Sequence, residues 1–178
     1  LDKGTQGNAM KEHDMFETLT RHGGYRIDYL KPEIAGHPEA FGFYVCGSLP
    51  EDAVYSTSAR RQLLAGLSAI QNQMNPDQLV AIYVDINNLE NLFRGAYQQL
   101  KRDVREGLIH RVFVISLGDL IDGPESIEDM TGLFRDSGGF EIISLEDGIC
   151  QRETFAYACY RWVMRNAAEI YEAPCIEH

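Results

Sequence analysis

FRGAYQQLKRDVREGLIHRVFVISLGDLIDGPESIEDMTGLF, residues 93–134, decides the fold of this chain. Ala96, Leu100 and Val104 recur at helical spacing, and Gly107 closes the run as a residue free to leave the helix. HRVFVISL (110–117) is short and almost wholly apolar, as a strand buried on both faces must be. SIEDMTGLFRDSGG (126–139) puts Ile127, Met130, Leu133 and Phe134 on one face, with Ser126 read as the cap and Gly138-Gly139 as the stop. Helix, buried strand, acidic loop and helix in succession is the repeat of a parallel sheet with helical crossovers.

The same repeat extends in both directions. AFGFYVCGS (40–48) and LVAIYVDI (79–86) read as buried strands. Between them TSARRQLLAGLSAIQNQM (57–74) spaces Leu63, Leu64, Leu67 and Ile70 as a helix, with Ser58 as its cap and Asn75-Pro76-Asp77 as its stop. FEIISLE (140–146) is a further strand, and RETFAYACYRWVMRNAAEIYE (152–172) a long helix. The expectation is an α/β domain over residues 40–150, with a four- to five-stranded, mainly parallel sheet and helices on both faces. A C-terminal helix and tail follow at 151–178. Residues 1–39, broken by Gly23-Gly24, Pro32, Gly36 and Pro38, read as an arm outside that core, its first nine residues an added leader before a start at Met10. Ligands of such sheets bind beyond the carboxyl ends of strands, marked here by Gly47-Ser48, Asp85, Gly118-Asp119 and Glu146-Asp147. No glycine-rich phosphate loop is present.

Charge narrows the function. The formal net charge is −11, whereas duplex nucleic acid is bound by cations that displace its counterions. This chain alone is therefore expected not to bind duplex DNA, and to be repelled by anionic membranes. No apolar run approaches the ~20 residues of a membrane helix. The N-terminus lacks the apolar centre of a secretory signal. Cys46, Cys150, Cys159 and Cys175 are scattered, with no C-x-x-C pair, which points to reduced thiols in a cytoplasmic protein without structural zinc.

Five short motifs carry a resemblance. They are Tyr44-Val45-Cys46-Gly47-Ser48, then Ser58 with Gln62, Asp85 at the end of its strand, Arg94-Gly95-Ala96-Tyr97, and Ser116-Leu117-Gly118-Asp119-Leu120-Ile121-Asp122. In order and spacing, across roughly 41–172, they resemble the catalytic domain of the serine recombinase (resolvase/invertase) family. The resemblance implies Ser48 as the nucleophile toward a DNA phosphate, Arg94 as a phosphate cation, and Tyr44, Gln62 and Asp85 as supporting residues. The chain departs from the family where chemistry is concentrated. Cys46 replaces an arginine, and the family's Lys-x-Asp-Arg-Leu-x-Arg segment reads SLGDLID, keeping only its leucine. Removing one donor to a developing oxyanion costs ~10²–10³ in rate, and here several are gone, with Asp119 and Asp122 in their place.

The leading expectation is a non-catalytic, resolvase-like interaction or self-association module without a cofactor. Asp85-Ile86-Asn87-Asn88 also resembles the Asp-x-x-Asn motif of NYN/PIN-like ribonucleases. That likeness implies a metal-dependent nuclease, with Asp85, Asp119 and Asp122 holding Mg2+ or Mn2+. A residual serine site-specific recombinase using Ser48 with Arg94 is the third reading. The C-terminal helix carries a wide apolar stripe, and the family's corresponding helix mediates dimerisation. Phe155, Cys159, Trp162, Val163 and Ile170 are the expected interface of a homo-oligomer.

Overall fold

The computed structural model describes residues 24–48, 58–88 and 91–172. Its elements are β1 (Tyr25–Tyr29), β2 (Phe41–Gly47), α1 (Ala59–Gln73), β3 (Leu79–Ile86), α2 (Gly95–Arg105), β4 (Arg111–Val114), α3 (Pro124–Asp136), β5 (Glu141–Ser144), β6 (Gly148–Cys150) and α4 (Phe155–Glu172). They form an α/β domain around a six-stranded sheet of order β1-β3-β2-β4-β5-β6. The four central strands are parallel, and both edge strands are antiparallel.

Two expectations change. The sheet has six strands rather than four or five. The arm does not run to residue 39, because Tyr25–Tyr29 pairs along Ala81–Asp85 as an edge strand. An edge strand needs no continuous apolar run; YRIDY is only partly buried and carries an Arg26–Asp28 ion pair.

The central strands are mostly apolar because both faces are covered, with Asp85, Arg111, Glu141 and Ser144 at their ends. Phe41, Phe43 and Val45 of β2 turn toward α1, with Ile82, Val84 and Ile86 of β3. Gly66 lets α1 approach closely, since a Cβ there would lie 2.0 Å from the Phe43 ring. Tyr44, Tyr83, Val112 and Ile142 face the other way, into a core closed by α2, α3 and α4. Phe134 joins Phe140 and Phe155 there, with ring centroids 4.9 and 5.0 Å apart. No helix among the described residues is long and apolar enough to cross a membrane.

Ser58 caps α1 as expected, accepting from Arg61 N at 3.4 Å. Ser126 does not cap α3. Gly123 holds that position, Pro124 opens the helix, and Ser126 Oγ reaches back to accept from Asp122 N at 2.8 Å. The connection through α1 runs outward from β2, and the one through α2 returns past it to β4. The divergence leaves a crevice at the carboxyl ends of β2 and β4, where such folds place a site.

Candidate functional site at the strand ends

Asp85 organises this region. It is fully buried, and its carboxylate accepts four hydrogen bonds. Oδ1 takes Asn91 Nδ2 at 2.9 Å and Ala96 N at 3.0 Å; Oδ2 takes Tyr44 OH at 2.7 Å and Tyr97 N at 2.9 Å. A carboxylate offers about four lone-pair sites, so these donors saturate it. The strand-end acid thus serves the first turn of α2, whose unpaired N–H groups and positive dipole end favour an anion. Asn91 completes the turn, accepting from Gly95 N at 3.0 Å and donating to Gly24 O at 3.0 Å.

Arg94 precedes α2 with φ at +52°, a left-handed backbone that costs a non-glycine residue about 1–2 kcal/mol. Its guanidinium is held on every side. Nε and Nη2 donate to Tyr44 OH at 3.2 and 3.0 Å. Nη2 also donates to Asp119 O at 2.6 Å, and Nη1 to Leu120 O at 3.0 Å. Nη1 lies 4.0 Å from Asp122 Oδ1, and the group stacks 4.0 Å over the centroid of Tyr97. Burial works against its charge, but Tyr44, Cys46 and Tyr97 around it outweigh burial and raise its pKa. The Tyr44 hydroxyl, pushed well above its ordinary value chiefly by burial, relays between Arg94 and Asp85.

The β4–α3 loop folds onto this cation. Leu117–Asp119 is one 3-10 turn closed by a capping box, in which Gly118 N donates to Ser116 Oγ and Ser116 N to Asp119 Oδ2. Burial drives the Asp119 carboxyl up to about 7; Glu146 and Asp147 add to this, while Ser116 N and Arg94 oppose it. Cys46 donates to Asn87 Oδ1 at 3.2 Å, and burial pushes its thiol up to about 11.

α4 pins the same loop from outside. Trp162 Nε1 would lie 3.2 Å from a Cβ on Gly118. Asp147 Oδ2 accepts from Leu117 N at 2.9 Å and Ser144 Oγ at 2.8 Å, and Asp147 Oδ1 pairs with Arg165. Burial would raise the Asp147 pKa, but the Leu117 N–H and Arg165 overcome it and hold it below the usual value.

Tyr44, Asp85 and Arg94 therefore meet in one network. Gln62 Nε2 reaches the adjoining strand end, donating to Cys46 O at 3.0 Å. Ser48 stands one residue past β2, partly exposed, its carbonyl accepting from Ala59 N at 2.9 Å. Its hydroxyl makes no hydrogen bond to Arg94. The three aspartates of the metal reading do not form a set. Asp85 is saturated inside, while Asp122 is 69% exposed in its side chain and accepts from Ser126 Oγ at 2.8 Å. Among the described residues no three His, Cys, Asp or Glu side chains gather as a metal-holding group.

The expected interface divides. Phe155 and Cys159 are buried in the core and Trp162 packs against it, so these three face the sheet. Val163 is exposed, and the side chain of Ile170 lies outside the described residues. The outer face of α4 instead presents Tyr157, Tyr160 and Met164. With Ile149, Arg161 and Arg165 they line an open groove of about 480 Å³.

A second buried acid escaped the sequence reading. Asp103 accepts from Tyr29 OH at 2.7 Å, Tyr83 OH at 2.6 Å and Gln99 Nε2 at 2.8 Å, tying α2 to β1 and β3. Its signal was an acid beside Val104 on the apolar face of a helix, with a tyrosine in the midst of an apolar run, LVAIYV.

No family model and no curated protein sequence matches this chain. Among solved structures it is similar to the N-terminal catalytic domain of TP901-1 integrase. The identity is 20% and the TM-score 0.46, over 78% of this chain and 99% of that one. A likeness of this size says nothing about activity.

Proposed function

We propose that this protein is a resolvase-like scaffold acting as a non-catalytic, self-associating interaction module. The observation that carries the reading is the state of Arg94. Four of its five N–H donors are spent on Tyr44 and two backbone carbonyls, and the remaining edge faces Asp122. A cation so engaged keeps a single donor for a phosphate, and the Asp122 carboxylate stands at that side. Tyr44, Asp85 and Arg94, picked out by their likeness to recombinase motifs, work here as the joint between sheet, α2 and loop. Self-association is supported by the exposed tyrosines and methionine of α4, more apolar surface than a solvated helix face needs.

The test pairs a plasmid assay with sedimentation. Supercoiled DNA incubated with the protein should stay uncut and carry no covalent adduct, with or without Mg2+ or Mn2+, and the protein should sediment as more than a monomer. An adduct with DNA that disappears in Ser48→Ala would overturn the non-catalytic reading. Metal-dependent nicking lost in Asp119→Asn would install the nuclease instead.

A further inference from the structure

The groove on α4 has a sign. Arg161 stacks at 5.9 Å on the Tyr157 ring and has no acidic partner among the described residues. Arg165 is held by Asp147, the one acid lining the groove. The balance is one positive charge in a groove otherwise walled by Ile149, Tyr157, Tyr160 and Met164, on a chain of net charge −11. Across a twofold axis through this face, Arg161 would confront the same face of its copy, with no spare acid among the described residues to receive it. A like-charge meeting opposes such a pairing.

Elsewhere the chain presents the complement. Asp122, Glu125 and Glu128 are exposed at the start of α3. Glu125 and Glu128 are three residues apart on that helix, and Arg161 and Arg165 four apart on theirs, spacings that both place side chains about 5–6 Å from each other.

We propose that the α4 groove receives the acidic first turn of α3 from a second copy of the chain, Arg161 meeting Glu125 and Glu128 while Tyr157, Tyr160 and Met164 close over the contact. Arg165 stays on Asp147. This rests on the reading of the protein as a self-associating module and names the two faces involved. The contact joins different surfaces, so it is head-to-tail, and each added copy leaves a groove and an acidic turn unfilled.

Sedimentation velocity across protein concentration tests it, with two variants at exposed positions checked for fold by circular dichroism. Wild type should grow in mass beyond a dimer and fall back as salt rises from about 50 to about 500 mM. Arg161→Glu and the double variant Glu125→Gln/Glu128→Gln should each associate about tenfold more weakly or worse. An equimolar mixture of the two should recover a one-to-one complex, because one supplies an intact acidic turn and the other an intact groove. A wild-type assembly that stops at a salt-insensitive dimer, or a mixture no heavier than its parts, overturns the head-to-tail contact while leaving self-association standing. A wild type that is monomeric at every concentration overturns self-association as well.

Discussion

The strand-end network and the outer face of α4 are opposites. Around Asp85 and Arg94 nearly every donor meets a protein acceptor, and the polar groups are buried. On α4 the rings of Tyr157 and Tyr160 stand 64% and 62% exposed, and among the described residues Arg161 has only a ring for company. A buried polar network with every member satisfied rigidifies a fold, and breaking it leaves groups that water cannot reach. An exposed apolar face with an unspent charge contributes little to the monomer and is the place where a partner gains most. On the proposed function, the region that looks like an active site by motif serves stability, and the region that looks like a plain terminal helix serves contact.

The hardest blow to that contrast is Asp85→Ala. It leaves Tyr44 OH, the Asn91 amide and two backbone N–H groups of α2 without their acceptor in the interior. The expected loss is about 3–5 kcal/mol in urea unfolding, enough to unfold a marginal domain. A loss below about 1 kcal/mol would mean that the site is solvated and free to hold a ligand after all. Arg94→Ala should cost less, about 2–3 kcal/mol. It unpairs the Leu120 and Asp119 carbonyls, but it also relieves the left-handed strain of a long side chain's backbone only slightly, since alanine dislikes that region too. An unchanged midpoint would show that the guanidinium is idle, and with it available to a phosphate.

Titration of Asp119 gives a smaller effect with a definite sign. Folded, the carboxyl keeps its proton up to about pH 7; unfolded, it releases it near 3.8. Between those values the folded state binds more protons, so this group's contribution to stability falls as pH rises from about 4 to 7. Asp147 works in the reverse direction, its lowered pKa giving stability that is lost as pH falls through the acid range. Asp119→Asn should therefore flatten the wild-type decline and raise the neutral-pH melting point by about 2–4 °C, an effect kept modest because the side chain is not fully shut off from water. A variant whose melting profile parallels wild type from pH 4 to 7.5 would place that carboxyl in ordinary water.

What could be read from residues alone follows where the physics is local. The four parallel strands were legible because a strand covered on both faces must be mostly apolar, as LVAIYVDI is up to its strand-end Asp85. β1 was not, because pairing at an edge asks little of YRIDY beyond its backbone. Periodicity put Phe155, Cys159 and Trp162 on one stripe correctly but could not say that this stripe meets the sheet. Only the packed core decides which side of a doubly apolar helix is left outside. The resemblance singled out Tyr44, Asp85 and Arg94, and the structure joins them. Asn91 and Asp103 stayed silent because their partners arrive from distant segments, Gly24 and the β1 residue Tyr29 among them, and Asp147 was placed at a strand end without its partner Arg165 on α4.

The smallest change in stability belongs to the outer face, and it separates the two regions most sharply. Tyr160→Ser and Met164→Ser remove exposed groups that touch the groove and little else. In dilute protein, where the monomer prevails, each should shift the unfolding free energy by no more than about 0.5 kcal/mol. At high concentration the same substitutions should weaken association by about tenfold or more, because anchors at a desolvated contact carry most of its energy. Loss of monomer stability by several times that amount would mean that Tyr160 and Met164 already belong to the folded core. α4 would then be closed like the strand ends, and the contrast between the two regions would fail at its second term.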